Sequence, residues 1–475
     1  MIAKPTLYQE LSNRLAELIR SGTFSAGDRF PSVRRTSVEH RVSITTVMEA
    51  YRRLEDEGLI EARPRSGYYV KPPVLSESSF PQTPKSIRRP IEISSSSILD
   101  TVMSAVADPN VVPFGAAVPG SDIIPTAKLA SISNSVIRRY GAESFSQTFP
   151  PGRRELRVAL SRRLLSAGLK ASPDEIITTQ GATEAVLLSL LATCKAGDLV
   201  AIETPTFFGL LSIVQSLGLK VIELPVDPRD GVVIEALKLA LSSHKIKACL
   251  LQPNYQNPIG SVMNIDAKKR LAALAEEHNF TIIEDDLYGD LAHDGHRPPS
   301  LACFGKNVIH CGAISKTITP GLRVGWMVPG KYYDAIHELK TIRCPSSSTT
   351  SELIIAEFLE AGGYDSHLRR VRRLYATQCA KMRQAVIEHF PDTCRVNQPA
   401  GGFVLWVEME PAFNSERFAA LAFEQGISLV PGSLFSPSCG LKNCFRLSCG
   451  FAFDERTMKA ISTLGELAKQ VSSEE

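Results

Sequence analysis

The sequence predicts an α/β protein with a small helical module ahead of it, on three observations. From about residue 98 onward, short apolar runs alternate with amphipathic helical stretches, which implies a parallel sheet with right-handed crossovers. Residues 1–71 carry a compact pattern of three helices and a hairpin. Between them, thirteen of the 26 residues in 72–97 are Pro or Ser, the composition of a semi-extended linker. The chain therefore divides into four zones: a winged helix-turn-helix over 1–71, a linker over 72–97, a large α/β domain over 98–348 and a smaller α+β domain over 349–475.

The chain has 475 residues, 44% hydrophobic and 22% charged. That is ample for a large core and excludes a disordered, collagenous or coiled-coil chain. No run approaches the ~18 apolar residues of a membrane span. The start, MIAKPTLYQELSNR, has no apolar core of a secretory signal, so a cytoplasmic protein is expected. Ten cysteines occur, all from Cys194 onward, with no CxxC pair. The spacing of Cys439, Cys444 and Cys449 fits no metal site, so no metal is expected and reduced thiols are. The net charge is +3. Residues 1–71 hold twelve Lys and Arg against nine Asp and Glu, and the rest of the chain balances to zero.

In the first zone Leu7, Leu11, Leu15, Leu18 and Ile19 share one helical stripe, Thr6 and Gln9 suit a capping box, and Gly22 suits a stop. A second helix is expected from near Ser32 to His40. A third starts with Ser43 as N-cap, turns Val47, Ala50, Tyr51 and Leu54 inward and ends at Gly58. LIEARPRSGYYV then reads as strand, turn and strand. A helix fits the major groove, and its N-terminal residues meet base edges first; here these are Ser43, Ile44, Thr45 and Thr46. Arg34 and Arg35 on the preceding helix, and Arg63 and Arg65 on the hairpin, suit phosphates or bases through the planar guanidinium fork. Arg53 reads as a solvated helix face.

AGDRFPSVR and TTVMEAYRRLEDEGLIEARPRSGYYV resemble the GntR family of winged-helix repressors over residues 7–70. The resemblance implies operator DNA bound by a dimer, with Arg34, Arg65 and the start of the third helix on the duplex. The family often has Arg after the capping Ser; Ile44 stands there instead. A guanine contact is lost, or an apolar contact to a thymine methyl is gained.

In the second zone, strands are expected at Glu175–Thr179, Leu199–Glu203, Lys220–Leu224, Ala248–Gln252, Thr281–Glu284 and Val308–Cys311. The chemistry lies just past these runs, because ligands bind at the carboxyl ends of parallel strands. Gly181-Ala182-Thr183 opens a helix and offers backbone N–H groups to a phosphate, with Gly181 allowing close approach. Arg323 in SKTITPGLRVGW supplies a cation. Phe207 offers a ring face, and Asn257 and Tyr288 offer neutral hydrogen bonds. Asp285 can hold a pyridine nitrogen protonated, and Lys316 can form a Schiff base. Together these suit pyridoxal 5′-phosphate. Singly, each has a structural explanation: a surface lysine, a tight turn, an N-cap, a core phenylalanine.

The ordered set GAT, PxF, NPxG, DxxY, SK and GLRVGW resembles the fold-type I aminotransferases over about residues 100–470. The resemblance implies a pyridoxal phosphate-dependent transferase fold, and it makes Arg446 in NCFRLSCG the clamp for a substrate carboxylate. Both resemblances together identify the chain as similar to the MocR subfamily of GntR regulators. That implies a head-to-tail homodimer, with the linker allowing the crossing. Two positions depart from the enzymes' pattern. Ala313 replaces a phosphate-binding Ser or Thr, for which Ser315 compensates. Phe149 replaces a tyrosine that reaches in from the neighbouring subunit.

The function expected is a DNA-binding regulator that senses pyridoxal phosphate or an amino compound through Schiff-base exchange at Lys316. A working aminotransferase with an appended DNA-binding module is the alternative, since Asp285, Lys316 and Arg446 are all present. A structural fusion binding neither ligand is the third. The sequence leaves the effector, the operator and the sign of regulation open.

Overall fold

A computed structural model describes residues 6–20, 24, 27–63, 66–71, 80–84, 89–93, 108, 110–361 and 363–473. The chain divides into two compact units, Met1–Ser79 and Phe80–Glu475.

In the first unit α1 spans Leu7–Arg20, α2 Val33–His40 and α3 Ile44–Asp56, followed by a hairpin of β1 (Ile60–Arg63) and β2 (Gly67–Val70). Gln9 Oε1 accepts the Thr6 N–H at 2.9 Å. Ser32 and Ser43 cap α2 and α3 by accepting the Arg35 and Thr46 N–H groups. Between them Arg41 takes a left-handed conformation, φ 52°, and turns the chain. Tyr51 centres the core: its ring packs on Phe30 and Tyr68, and its hydroxyl lies 2.8 Å from the Pro31 carbonyl and 2.6 Å from the Thr36 hydroxyl. Leu11, Leu15, Val47 and Leu54 fill the space around it. Leu7, placed on the apolar stripe by periodicity, is instead 66% exposed; it is the first residue of α1, before the helix meets its neighbours. Gly22 lies outside the described residues.

The second unit is built on an eight-stranded sheet: β3 (Ile177–Thr179), β4 (Leu199–Thr204), β5 (Lys220–Asp227), β6 (Gly231–Val232), β7 (Ile246–Leu251), β8 (Thr281–Asp285), β9 (Val308–Ala313) and β10 (Gly325–Val328). The order is β3-β10-β9-β8-β7-β4-β5-β6. β5, β4, β7, β8 and β9 pair in parallel. β10 runs antiparallel between β3 and β9, and β6 runs antiparallel to β5, so the sheet is parallel-rich rather than wholly parallel. Ahead of the sheet lie α4 (Thr126–Tyr140) and α5 (Arg154–Leu164); Glu175 closes a 3-10 turn ahead of β3, and Gln252 lies one residue past β7. Alternate strand residues feed two apolar layers. Ile202, Val221 and Leu250 face Val186 of α6 (Ala182–Thr193) and Val214 of α7 (Phe208–Ser216). Ala201, Ile222 and Cys249 face Leu237 of α8 (Ile234–Ser243) and Leu271 of α9 (Ile265–Glu277). Burial on both faces is why the strands read as nearly continuous apolar runs.

Towards the C-terminus, α10 (Thr349–Glu360) and α11 (Gly363–His389) lead to a four-stranded antiparallel sheet. Its strands are β11 (Arg395–Val396), β12 (Val404–Glu408), β13 (Val430–Pro431) and β14 (Cys444–Ser448), in the order β11-β12-β14-β13. Of the apolar run LSCGFAF, only Leu447 and Ser448 belong to β14, and the strand's larger part precedes them.

Parts of the expected linker lie on this unit. The Gln82 N–H donates to Glu408 at 2.6 Å, the Thr83 hydroxyl to Asp227 at 2.8 Å, and Ile91 bridges to Val221 of β5. Pro-rich composition marks irregular backbone, and such backbone still finds partners through its amides. All ten cysteines are free. Among the described residues no helix is long and apolar enough to cross a membrane.

Candidate functional site

β3, β4, β7, β8 and β9 bring their carboxyl ends to one edge of the large sheet, because β3 and β9 both run antiparallel to β10. Asp285 is the last residue of β8, and Lys316 follows β9 by three residues. Asp285 is buried and Lys316 largely so. Burial pushes the Asp285 carboxyl up to about 6; the hydrogen bond from Gln252 and the nearby Lys316 act against this, while Asp286 adds to it. Lys316 is pushed down to about 8, chiefly by burial and then by Arg446 and Arg323, against the attraction of Asp285. Its Nζ donates to the Ala117 carbonyl.

Asn257, in the turn after β7, accepts from Arg446 Nη1 at 3.2 Å. Arg446 Nη2 donates to the Gly115 carbonyl at 2.6 Å. Arg446 lies on β14, 1% exposed, with its guanidinium 5.1 Å from the Phe435 ring and 5.9 Å from that of Phe208. Burial lowers it to about 10. Phe207 packs on Phe208 at 4.6 Å, which links it through Phe208 to Arg446. The Tyr288 hydroxyl is buried with no hydrogen-bond partner, and its pKa is raised by burial.

Gly181 is the N-cap of α6, with φ 86° and ψ 174°. A Cβ there would come 2.8 Å from Arg323 Nη2, so Arg323 lies directly over the helix start, and its Nη2 donates to the Gln180 carbonyl at 2.9 Å. The approach depends on Gly325: a Cβ on it would sit 2.6 Å from the Gly181 carbonyl carbon. Ala182 is buried and Thr183 is exposed at this helix start; Ser315 is buried beside Lys316, and Ala313 is buried at the end of β9. Phe149 is 61% exposed.

Several groups of this edge were not expected from the sequence. Gln252 Nε2 donates to Asp285 Oδ2 at 2.7 Å, and Gln252 Oε1 accepts the Asn257 N–H at 3.1 Å. The Gln252 N–H donates to Glu203 at 3.0 Å. Burial raises Glu203 to about 8, against hydrogen bonds from Gln252 and Gln256 and with a smaller push from Asp285. Gln252 stood at the end of an expected strand, and that position was the available signal. The Gly115 and Ala117 carbonyls carry no side-chain signature. Beside the site, Arg297 bridges Asp286 (2.5 Å) and Asp290 (2.6 Å), and Arg163 meets Asp290 at 3.0 Å. Burial opposes ionisation of Asp290, but the two arginines outweigh it and hold the carboxyl well below the usual range.

In the first unit, the residues expected on DNA separate. Ser43 and Thr46 are engaged with each other: their hydroxyls lie 2.8 Å apart, and Ser43 accepts the Thr46 N–H. Thr45 and Arg34 are exposed. Arg35 is paired with Glu39 at 2.7 Å and Arg63 with Glu61 at 2.7 Å. Arg65 lies outside the described residues.

A winged helix followed by an aminotransferase-type α/β domain defines a two-module architecture. Residues 110–462 match the family Aminotransferase class I and II, and residues 7–70 match the bacterial regulatory proteins of the gntR family. The chain is 35% identical to the uncharacterized HTH-type transcriptional regulator YdcR of Escherichia coli over 465 residues, 98% of this chain and 99% of that one. It is 26% identical to the 2-aminoadipate transaminase of Thermus thermophilus over 369 residues, 76% of this chain and 91% of that one. Among solved structures, the kynurenine aminotransferase of Pyrococcus horikoshii superposes with a TM-score of 0.75 at 25% identity, covering 80% of this chain and 95% of that one. The chain therefore belongs to the class I and II aminotransferase family, in the MocR-type branch whose members carry a GntR winged helix at the N-terminus.

Membership implies pyridoxal 5′-phosphate as the cofactor, and the residues fit it. Asp285 Oδ1, the Tyr288 hydroxyl and Arg446 Nε are buried and have no hydrogen-bond partner, a costly state that a polar ligand relieves. Gly181, lacking a side chain, lets the Arg323 guanidinium lie against the start of this helix, and a cation beside a helix N-terminus suits a phosphate.

Proposed function

We propose that this chain is a cytoplasmic, homodimeric transcriptional regulator that binds operator DNA through its winged helix and senses pyridoxal phosphate or an amino compound at the aminotransferase-like site. The observation that carries the reading is a largely buried lysine near a buried, partly unsatisfied aspartate, in one chain with a capped, well-packed winged helix. When bound, pyridoxal phosphate supplies an aldehyde that condenses reversibly with amines, which makes the site responsive to amino compounds. Lys316, lowered to about 8 chiefly by burial, presents a far larger fraction of free amine near physiological pH than an ordinary lysine does. Asp285 holds a proton on the ring nitrogen; Asn257 and Tyr288 hydrogen-bond the ring oxygen, and Phe207 covers the ring face. Gly181, Ala182, Thr183, Ser315 and Arg323 hold the phosphate. Arg446 receives the carboxylate of an effector. Arg34, Arg35, Thr45 and Arg65 meet DNA, while Ser43 and Thr46 shape the helix start. A head-to-tail dimer joined across residues 72–97 is part of this reading. Regulation requires that the ligand bind the DNA-competent and DNA-incompetent states with different affinity.

The 35% identity to a protein named as a regulator supports this reading. Electrophoretic shifts on the DNA upstream of the protein's own gene test it, with and without pyridoxal phosphate and candidate amines. A ligand-dependent shift is expected, and absence of specific binding under every condition refutes it. Arg446 beside Lys316 favours a second reading, slow transamination. Single-turnover spectroscopy with a panel of amino acids separates the two, using Lys316→Ala as the inactive control.

A further inference from the structure

The outward face of α3 carries an apolar strip where a groove-reading helix presents its side chains. Val47, Ala50, Tyr51 and Leu54 are committed to the core. Ser43 and Thr46 are occupied with each other at the cap. The first two turns therefore offer Ile44, Thr45, Met48 and Glu49 outward, with Arg52 a turn further on. Ile44 is 50% and Met48 53% exposed. They stand four residues apart, so they form one strip along the helix. Arg34 on α2 and Arg52 on α3 are exposed and in no ion pair among the described residues; this gives the strip the cationic flank that phosphate contacts require. In the major groove the apolar feature of the bases is the C5 methyl of thymine.

We propose that α3 reads thymine methyl groups through Ile44 and Met48, and that these two residues set the operator preference. The inference rests on the DNA-binding reading above and deepens it. Four residues advance about 6 Å along a helix axis, close to two steps of about 3.4 Å along a DNA strand. The two side chains therefore select thymines about two base pairs apart in each half-site. Met48, unbranched and polarizable, tolerates a displaced methyl better than Ile44, so the preference is sharper at the Ile44 position.

The full-length protein is used to select duplexes from a randomised library, and paired thymines at that spacing are expected. The selected duplex is then remade with deoxyuridine at each thymine in turn, which removes only the methyl. Affinity should fall about fourfold per contacted methyl. Ile44→Ala and Met48→Ala should each bind thymine and deoxyuridine duplexes equally at one position. Both side chains are exposed, and an unchanged melting temperature and visible cofactor band show that the variants are folded. Equal binding of all deoxyuridine duplexes by the wild type overturns the inference while leaving DNA binding intact. So does full methyl dependence retained by both variants. Failure to select any duplex overturns the DNA-binding reading itself, and this inference with it.

Discussion

Replacing Gln252 with Leu nearly conserves volume and removes two hydrogen bonds that converge on the cofactor edge. The side chain holds Asp285 Oδ2 at 2.7 Å and the Asn257 N–H at 3.1 Å, while its backbone bond to Glu203 survives the change. The variant leaves a carboxylate oxygen and an amide N–H buried without partners. At about 1–3 kcal/mol for each orphan, the apoprotein should lose roughly 2–6 kcal/mol, read by urea unfolding. Asp285 is already raised to about 6 by burial, and the Gln252 hydrogen bond is the largest influence against that rise. Without it the carboxyl rises further and is a weaker partner for a protonated ring nitrogen. Pyridoxal phosphate affinity should fall about 10- to 100-fold, or ~1.4–2.8 kcal/mol, in a visible-absorbance titration. The pH at which the bound cofactor's band changes should shift as well. A variant that loses stability yet binds pyridoxal phosphate with wild-type affinity and an unchanged pH profile would refute the reasoning, leaving Gln252 a packing residue only.

Three further outcomes are expected. The rate of pyridoxal phosphate uptake should rise with a midpoint near pH 8, since Lys316 is pushed down to about 8; a midpoint near 10 in stopped-flow absorbance would contradict this. The same shift affects apoprotein stability: between about 8 and the ordinary 10.5 the unfolded lysine binds more protons than the folded one, so its contribution improves as pH rises through that window. Gly181→Ala forces a side chain into a backbone conformation used almost only by glycine, at a cost of about 1–3 kcal/mol, and drives a Cβ to 2.8 Å from Arg323. Weaker binding of both pyridoxal phosphate and inorganic phosphate should result, measured by calorimetry. Arg297→Ala strips the buried Asp286 and the half-buried Asp290 of their shared partner and should destabilise the fold by roughly 3–5 kcal/mol in urea; a loss below about 1 kcal/mol would show that Arg163 compensates.

Much of the candidate site was legible because strand ends are legible. A run of apolar residues has to stop, and what stops it lies at the sheet's edge. Lys316, Asp285, Asn257 and Gly181 each come just after such a run. Arg446 gave no local signal and entered only through family resemblance. It lies on β14 of the smaller sheet and reaches Asn257 across 189 residues of chain. In the first unit the capping serines were legible, but their consequence was not: Ser43 and Thr46 satisfy each other, which leaves Ile44 and Met48 as the outward chemistry.

The sequence by itself determined the two modules, their order and the residues at the strand ends, because periodicity and turn chemistry are local. The tertiary structure alone decided that β10 slots antiparallel between β3 and β9, that residues 80–84 and 89–93 lie on the second unit, and that Gln252 ties Asp285 to Asn257. It alone decided that the Ala117 and Gly115 carbonyls meet Lys316 and Arg446. The physical reason is common to all of these: each depends on a contact between distant segments, made by backbone groups that every residue carries or by a side chain whose partner is chosen only when the chain folds.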